Sequence, residues 1–306
     1  MVACGQGPCC STCGSARPVT SRWLVVGAAG QLGTDLMKVL DGRDVIGITR
    51  AELDITDGSA VTDAVLSAGA DVVMNATAYT AVDAAETDES TAAAVNSVAP
   101  GFLAAACAAA GSRFVHVSTD YVFSGDATAP YDEGAPTGPR SAYGRTKLAG
   151  ELAVARELAS AYVVRTAWVY GASGNNFVKT MARLERDRET VSVVDDQRGS
   201  PTWSFDLARG LVALGESGAA GGVYHCTNSG ETTWFGFTQA IFEELGADPA
   251  RVLPTTTDAF PRPAPRPAYS VLSHGRWVAA GLPAMQPWRD ALHEAFAVAG
   301  DSYRPA

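Results

Sequence analysis

Trp23-Leu24-Val25-Val26-Gly27-Ala28-Ala29-Gly30-Gln31-Leu32-Gly33 is the stretch that decides the fold. Four apolar residues run directly into a glycine, and beyond the second glycine Leu32, Leu36, Val39 and Leu40 recur at helical spacing. A strand that turns on glycines into a helix makes an anion site. Glycine permits the tight turn and lets the backbone approach a pyrophosphate, whose charge rests on the free N–H groups of the helix N-terminus. Gly27, Gly30, Gln31, Leu32 and Gly33 are therefore candidate cofactor-binding residues.

Working outward, strands and helices alternate. Val45 to Thr49 reads as a strand, Gly58 to Ala68 as a helix, Asp71 to Asn75 as a buried strand and Thr91 to Ala110 as a helix. Arg113 to Ser118 follows as a strand, Ala142 to Leu158 as a helix and Ala161 to Thr166 as a strand. Continuously apolar strands alternating with helices predict an α/β fold, a Rossmann-like doubly wound parallel sheet with ligands at the carboxyl ends of its strands. The rhythm loosens after Tyr170, where a glycine- and asparagine-rich loop and later a proline-rich segment from Pro254 to Pro267 intervene. The expected division is a tail over 1–20, a dinucleotide-binding domain over 21–170, and a smaller mixed substrate lobe over 171–306 with some elements returning to the first domain.

Composition limits the function classes. Of 306 residues, 47% are hydrophobic and 18% charged, an ordinary globular balance. A formal charge of −10 repels phosphate backbones and argues against a nucleic-acid partner. No run of 18 or more apolar residues is seen, so no membrane partner is expected. Cys4, Cys9, Cys10 and Cys13 crowd the N-terminus, which also lacks the basic start and apolar run of a secretory signal. Adjacent Cys9 and Cys10 do not fit the paired spacings of zinc sites, and that segment reads as a disordered tail without metal. Cys107 and Cys226 alone make no disulfide framework, which points to a reducing, cytoplasmic setting.

The choice of dinucleotide is read at the end of the second strand. An NAD enzyme would place a carboxylate there, about 20 residues beyond the glycines. Thr49-Arg50 stands instead, and a guanidinium pairs with a 2′-phosphate, which favours NADPH, with NADH possible. Asp54 and Ile55 are placed to meet the adenine, and the small residues Ala76 and Ala78 let a dinucleotide lie close over the third strand end. Asn96 either fixes the backbone nearby or serves as a local structural device.

The chemistry is read from Tyr143-Gly144-Arg145-Thr146-Lys147, which on a helix puts Tyr143 and Lys147 on one face, a turn apart. A tyrosine with a reference pKa of ~10 is protonated at neutral pH and can donate a proton. Lys147 is expected to lower that pKa and to hold the nicotinamide ribose. Val115 to Asp120 delivers a hydroxyl, Thr119, and a carboxylate, Asp120, to the edge of the sheet where catalytic groups of such folds belong.

Together with Ser118 to Phe123, Tyr143 to Glu151, Asn75 to Asp83, Arg165 to Phe177, Asp196 to Thr202 and Arg266-Pro267, these residues resemble the dTDP-4-dehydrorhamnose reductase family of the short-chain dehydrogenase/reductase superfamily. The resemblance implies NADPH-dependent reduction of the C4 keto group of a dTDP-linked sugar, by a monomer or a homodimer. It implies that Gly30, Gln31 and Leu32 contact the pyrophosphate and that Ala78, Tyr79 and Thr80 lie along the nicotinamide half. Thr119 and Asp120 would contact the sugar, Val82 would line its pocket, Trp168 would lie against it, and Arg266 would reach the diphosphate. Some members of the family share Mg²⁺ between carboxylates, and Asp35 matches one ligand, but Trp203-Ser204-Phe205 lacks a second, so no metal is expected. Dehydratase chemistry would call for a carboxylate at position 121, where this chain has a tyrosine. An epimerase of the same superfamily, or a non-catalytic regulatory subunit built on the same fold, is also compatible with these residues.

Overall fold

The computed structural model describes residues 21–304. The cysteine-rich segment read as a tail lies outside the described residues. The first half alternates as the sequence pattern predicts: β1 (Trp23–Val26), α1 (Gln31–Val39), β2 (Val45–Ile48), α2 (Gly58–Ala68), β3 (Val72–Asn75). A single turn, α3 (Val82–Ala85), precedes a long helix made of α4 (Glu89–Ala93), a π-helical turn at Ala94–Val98 and α5 (Ala99–Ala110). Then come β4 (Arg113–Thr119), α6 (Ala142–Glu157) and β5 (Tyr162–Thr166).

The second half opens with β6 (Val169–Tyr170), α7 (Phe177–Asp187), β7 (Val191–Val194), β8 (Arg198–Gly199) and β9 (Thr202–Trp203). It continues through α8 (Ser204–Glu216), β10 (Gly222–His225), β11 (Thr232–Thr233) and α9 (Trp234–Leu245). The last elements are β12 (Val252–Thr255), α10 (Gly275–Ala279) and α11 (Trp288–Tyr303).

Six strands form one sheet in the order β10-β5-β4-β3-β1-β2, every pair parallel. Alternate residues of β1 show why both faces are covered. Trp23 and Val25 enter a core with Leu36 of α1 and Leu207 and Leu211 of α8. Leu24 and Val26 point the other way, into a core with Val61 and Val65 of α2, Leu103 of α5 and Val154 of α6. Local signals set the helix ends: the Asp57 carboxylate accepts the Ser59 and Ala60 N–H groups ahead of α2, the Ser141 hydroxyl accepts the Gly144 N–H ahead of α6, and Gly69 closes α2 in the left-handed region.

Chain order reverses between β1 and β3, because β2 adds on one side of β1 and β3 on the other. Beyond the carboxyl ends of the strands at that reversal lies the crevice where ligands bind in open α/β sheets. Elements of the second half do return to the sheet: β10 pairs with β5, and α8 covers the face against α1. The remaining elements gather a core of their own, with Tyr170, Val178, Trp203, Phe237, Phe242, Leu292 and Phe296.

The helix Glu89–Ala110 adjusts one expectation. Within its 22 residues an 18-residue window reaches a mean hydropathy of 1.5, enough by length and composition to cross a membrane, although no uninterrupted apolar run of that length stands in the sequence. Its apolar character has a local reason, since half of it is buried inside the protein, where α5 packs against the sheet between α2 and α6.

Candidate active site

The glycine turn is built as a turn first. Gly27 has φ +90°, and a side chain there would meet Thr77 Cγ2 at 2.9 Å. At Gly33 a Cβ would stand 2.0 Å from the Gly27 carbonyl oxygen. These two glycines shape the loop, while Gly30, Gln31 and Leu32 line the cleft. Gly30 caps α1 without any side-chain hydrogen bond, so the first N–H groups of the helix have no partner within it and face an open site.

That site is a cleft of about 580 Å³ running from the glycine turn along the ends of β3, β4 and β5. Ala76, Ala78, Thr80 and Val82 line it after β3, and Thr119, Asp120, Tyr143 and Lys147 line it farther along. Tyr79 is held by its backbone: its N–H donates to Asn96 Oδ1 at 2.8 Å and its carbonyl accepts from Asn96 Nδ2 at 3.1 Å. Asn96 also donates to Thr146 Oγ1 at 3.2 Å, so it ties the β3 loop to α6. It sits in the π-helical turn, a local irregularity that recurs at functional sites.

Burial controls the ionisable groups here. The Tyr143 hydroxyl is pushed up to about 12 by loss of water, although the Thr119 hydroxyl beside it pulls the other way. Lys147 donates to the Val117 carbonyl at 2.7 Å and burial brings its ammonium down to about 8, against the opposing pull of Glu151 one turn on. Loss of water outweighs the lowering influences on Tyr143, and the tyrosine is held protonated at neutral pH. Asp120 is raised to about 6 by burial, against the opposing pull of the Ser270 and Thr119 hydroxyls.

Two buried polar atoms of this cleft, Asp120 Oδ2 and Thr166 Oγ1, have no hydrogen-bond partner among the described residues. Orphaned groups of this kind are costly unless a ligand or water satisfies them. Behind them, Glu151 and Arg165 form a buried bidentate pair at 2.9 and 2.7 Å, with the Ser118 hydroxyl donating to Glu151 at 2.6 Å.

The far wall comes from the second half of the chain. Trp168 lines the cleft with φ +48°, the one described non-glycine residue in the left-handed region, at a typical cost of about 1–2 kcal/mol. Its indole stacks on Trp234, with centroids 3.5 Å apart and planes 7° from parallel. Trp234, Asn175, Asn176, Phe177, Thr166 and Leu207 also line it, and the sequence reading names none of them as a site residue. Asn176 joins the two halves, donating to Gln31 Oε1 at 3.2 Å while its own Oδ1 accepts the Lys179 N–H at the start of α7.

Several expected contacts lie outside this lining, the loop-shaping Gly27 and Gly33 and the clasped Tyr79 among them, together with Arg50, Asp54, Ile55 and Arg266. Arg50 is exposed beyond β2 and makes no hydrogen bond or ion pair among the described residues. Asp54 Oδ1 accepts the Thr56 N–H and hydroxyl at 2.9 and 2.7 Å, and these bonds hold its carboxyl below the usual range. Ile55 packs partly into the core under α2. Arg266 pairs with Asp83 at 2.8 Å and lines a small adjoining cavity, which shares Tyr121 with the main cleft. Asp35 is buried, its two carboxylate oxygens taken by Lys38 and Ser204.

A parallel sheet with its glycine turn at the chain reversal, and a tyrosine and lysine one helical turn apart facing a hydroxyl at the end of β4, defines a short-chain dehydrogenase/reductase. Residues 21–300 match the family model described as the RmlD substrate binding domain. The dTDP-4-dehydrorhamnose reductase of Streptomyces griseus is 53% identical over 292 residues, covering 93% of this chain and 96% of that protein. A probable dTDP-4,6-dihydroxy-2-methyloxan-3-one 4-ketoreductase of Streptomyces antibioticus is 51% identical over 278 residues, 90% of this chain and 94% of that protein. Among solved structures, the dTDP-4-dehydrorhamnose reductase of Bacillus anthracis in complex with NADP superposes with a TM-score of 0.88 at 37% identity, over 91% of this chain and 99% of that one. The chain belongs to the dTDP-4-dehydrorhamnose reductase family.

Proposed function

We propose that this protein reduces the C4 keto group of dTDP-4-dehydro-L-rhamnose, giving dTDP-L-rhamnose, with NADPH as reductant. The observation that carries the reading is a tyrosine kept protonated by burial, beside Thr119 and Asp120, in a cleft that begins at an open helix N-terminus. The cofactor fits what the residues offer. The unpartnered first turn of α1 suits a pyrophosphate, the small Ala76 and Ala78 leave room over the strand end, and the exposed Arg50 suits a 2′-phosphate.

NADPH, when bound, supplies the hydride. Charge then grows on the ketone oxygen, and Tyr143 donates its proton there, with Thr119 hydrogen-bonding beside it. Lys147, with a pKa near 8 and an anchor on Val117, is positioned to stabilise the phenolate left behind and to hold a ribose hydroxyl. Asp120 Oδ2 and Thr166 Oγ1 accept or share protons with sugar hydroxyls, and Trp168 and Val82 wall the sugar. Arg266, next to Tyr121, reaches toward the diphosphate from the adjoining cavity. The enzyme works in the cytoplasm as a monomer or homodimer, with the nucleotide sugar as its partner and neither nucleic acid nor membrane.

The resemblance to the Streptomyces antibioticus 4-ketoreductase favours a second substrate, another dTDP-linked 6-deoxy-4-ketohexose. NADPH oxidation with each 4-keto sugar, followed by NMR of the product, separates the two. Turnover of neither sugar, with NADPH bound, would overturn the reading.

A further inference from the structure

The structure assigns Trp234 as a positioning residue that holds Trp168 in its left-handed conformation and thereby sets the wall of the sugar end of the cleft. This rests on the reading that the cleft takes a nucleotide-linked sugar. Trp168 leaves β5 two residues beyond Thr166 and adopts φ +48°. An indole in that backbone region persists only where its surroundings over-determine it. Two neighbours do so.

Trp234, the first residue of α9, stacks on Trp168 at 3.5 Å and 7°, and Phe177 supports Trp234 at 4.3 Å. Gly199 at the end of β8 leaves the space the indole fills, since a Cβ there would stand 2.4 Å from Trp168 Cε2 and 2.7 Å from Cζ2. Gly199 is not in the left-handed region, so its lack of a side chain answers to this approach and not to its own backbone. Neither Trp234 nor Gly199 is near Trp168 in sequence, and both belong to the second half of the chain. The orientation of the ring at the reacting end is thus dictated by the lobe, while the tyrosine, lysine and threonine that face it come from the sheet.

The test uses full-length protein labelled with 5-fluorotryptophan, the Trp168 resonance being identified from Trp168→Phe. Trp234→Leu removes the stacking ring, Trp234→Phe keeps a smaller one, and Gly199→Ala crowds the indole. Trp168 should shift strongly in Trp234→Leu and in Gly199→Ala, and less in Trp234→Phe, as the ring current of the stacked indole is lost or displaced. Affinity for dTDP-L-rhamnose, measured by calorimetry with NADP present, should fall by about tenfold in the first two and by less in the third. NADP affinity should stay within about twofold in all three, which also shows that they fold. A Trp168 resonance that does not move in Trp234→Leu, or a moved resonance with wild-type sugar affinity, overturns the assignment. A wild-type protein that binds NADP but no dTDP-sugar overturns the functional reading instead, and the fluorine shift still decides whether Trp234 positions Trp168.

Discussion

At Tyr143 a single oxygen carries the proposed chemistry. Tyr143→Phe keeps the ring and removes the donor, so kcat should fall by about 10² to 10⁴ while NADPH affinity stays unchanged, as steady-state kinetics and fluorescence titration would show. Near-normal kcat with chemistry rate-limiting would hand the proton to another acid. If exposed Arg50 holds the 2′-phosphate as proposed, Arg50→Ala should narrow the ratio of kcat/KM for NADPH over NADH, and a native preference for NADH would remove that assignment. Asp120 is buried at a cost in stability. Its folded pKa of about 6 lies above the unfolded value, so the native state binds the proton more tightly and loses stability as pH rises through that interval. Asp120→Asn should therefore raise Tm at pH 7 to 8, by up to about 3 kcal/mol of stability, with the gain shrinking toward pH 4. A Tm difference independent of pH would mean the carboxylate is not strained. Tyr143, Lys147, Thr119 and Asp120 were legible in the sequence because their chemistry follows a local spacing, a helical turn or a strand end. Trp234 and Thr166 were not, because what marks them is a neighbour distant in sequence and an orphaned oxygen.

The same contrast holds for elements. The first five strands and their helices can be read from apolar runs, glycines and caps, since each is decided within a dozen residues or so. That β10 joins β5 and α8 covers α1 is decided by cores assembled across the chain, and no local pattern announces it. The π-helical turn at Ala94–Val98 is equally silent, because its cause is a tertiary clasp of Asn96 on Tyr79 and Thr146. The Glu151–Arg165 pair fixes α6 on β5, and both side chains are about 5% exposed. Glu151→Leu, which leaves the guanidinium buried and uncompensated, should cost about 3–5 kcal/mol in urea unfolding. If Arg165 is replaced by Leu as well, much of the loss should return, and a double variant no better than the single one would show that the pair matters for more than charge balance.

For the molecule as a whole, sheet and lobe meet at one cleft, so a ligand there stabilises both. At 100 times its Kd, NADPH should add about 2.7 kcal/mol to stability and raise Tm accordingly. A melt unaffected by saturating cofactor would mean that native and unfolded chains bind it alike. The crossing of the chain back to β5 also has a consequence for the time at which this protein becomes itself. When Thr166 leaves the ribosome, one face of the sheet still lacks α8, and β5 still has an open edge. Synthesis at about 5 to 20 residues per second means that roughly 3 to 12 s pass before His225 is made. Until α8 and then β10 are made, the nascent chain lacks the cover that Leu207 and Leu211 give to Trp23, Val25, Leu36 and Met74, and it is during those seconds, before any cofactor can help, that a chaperone would find it.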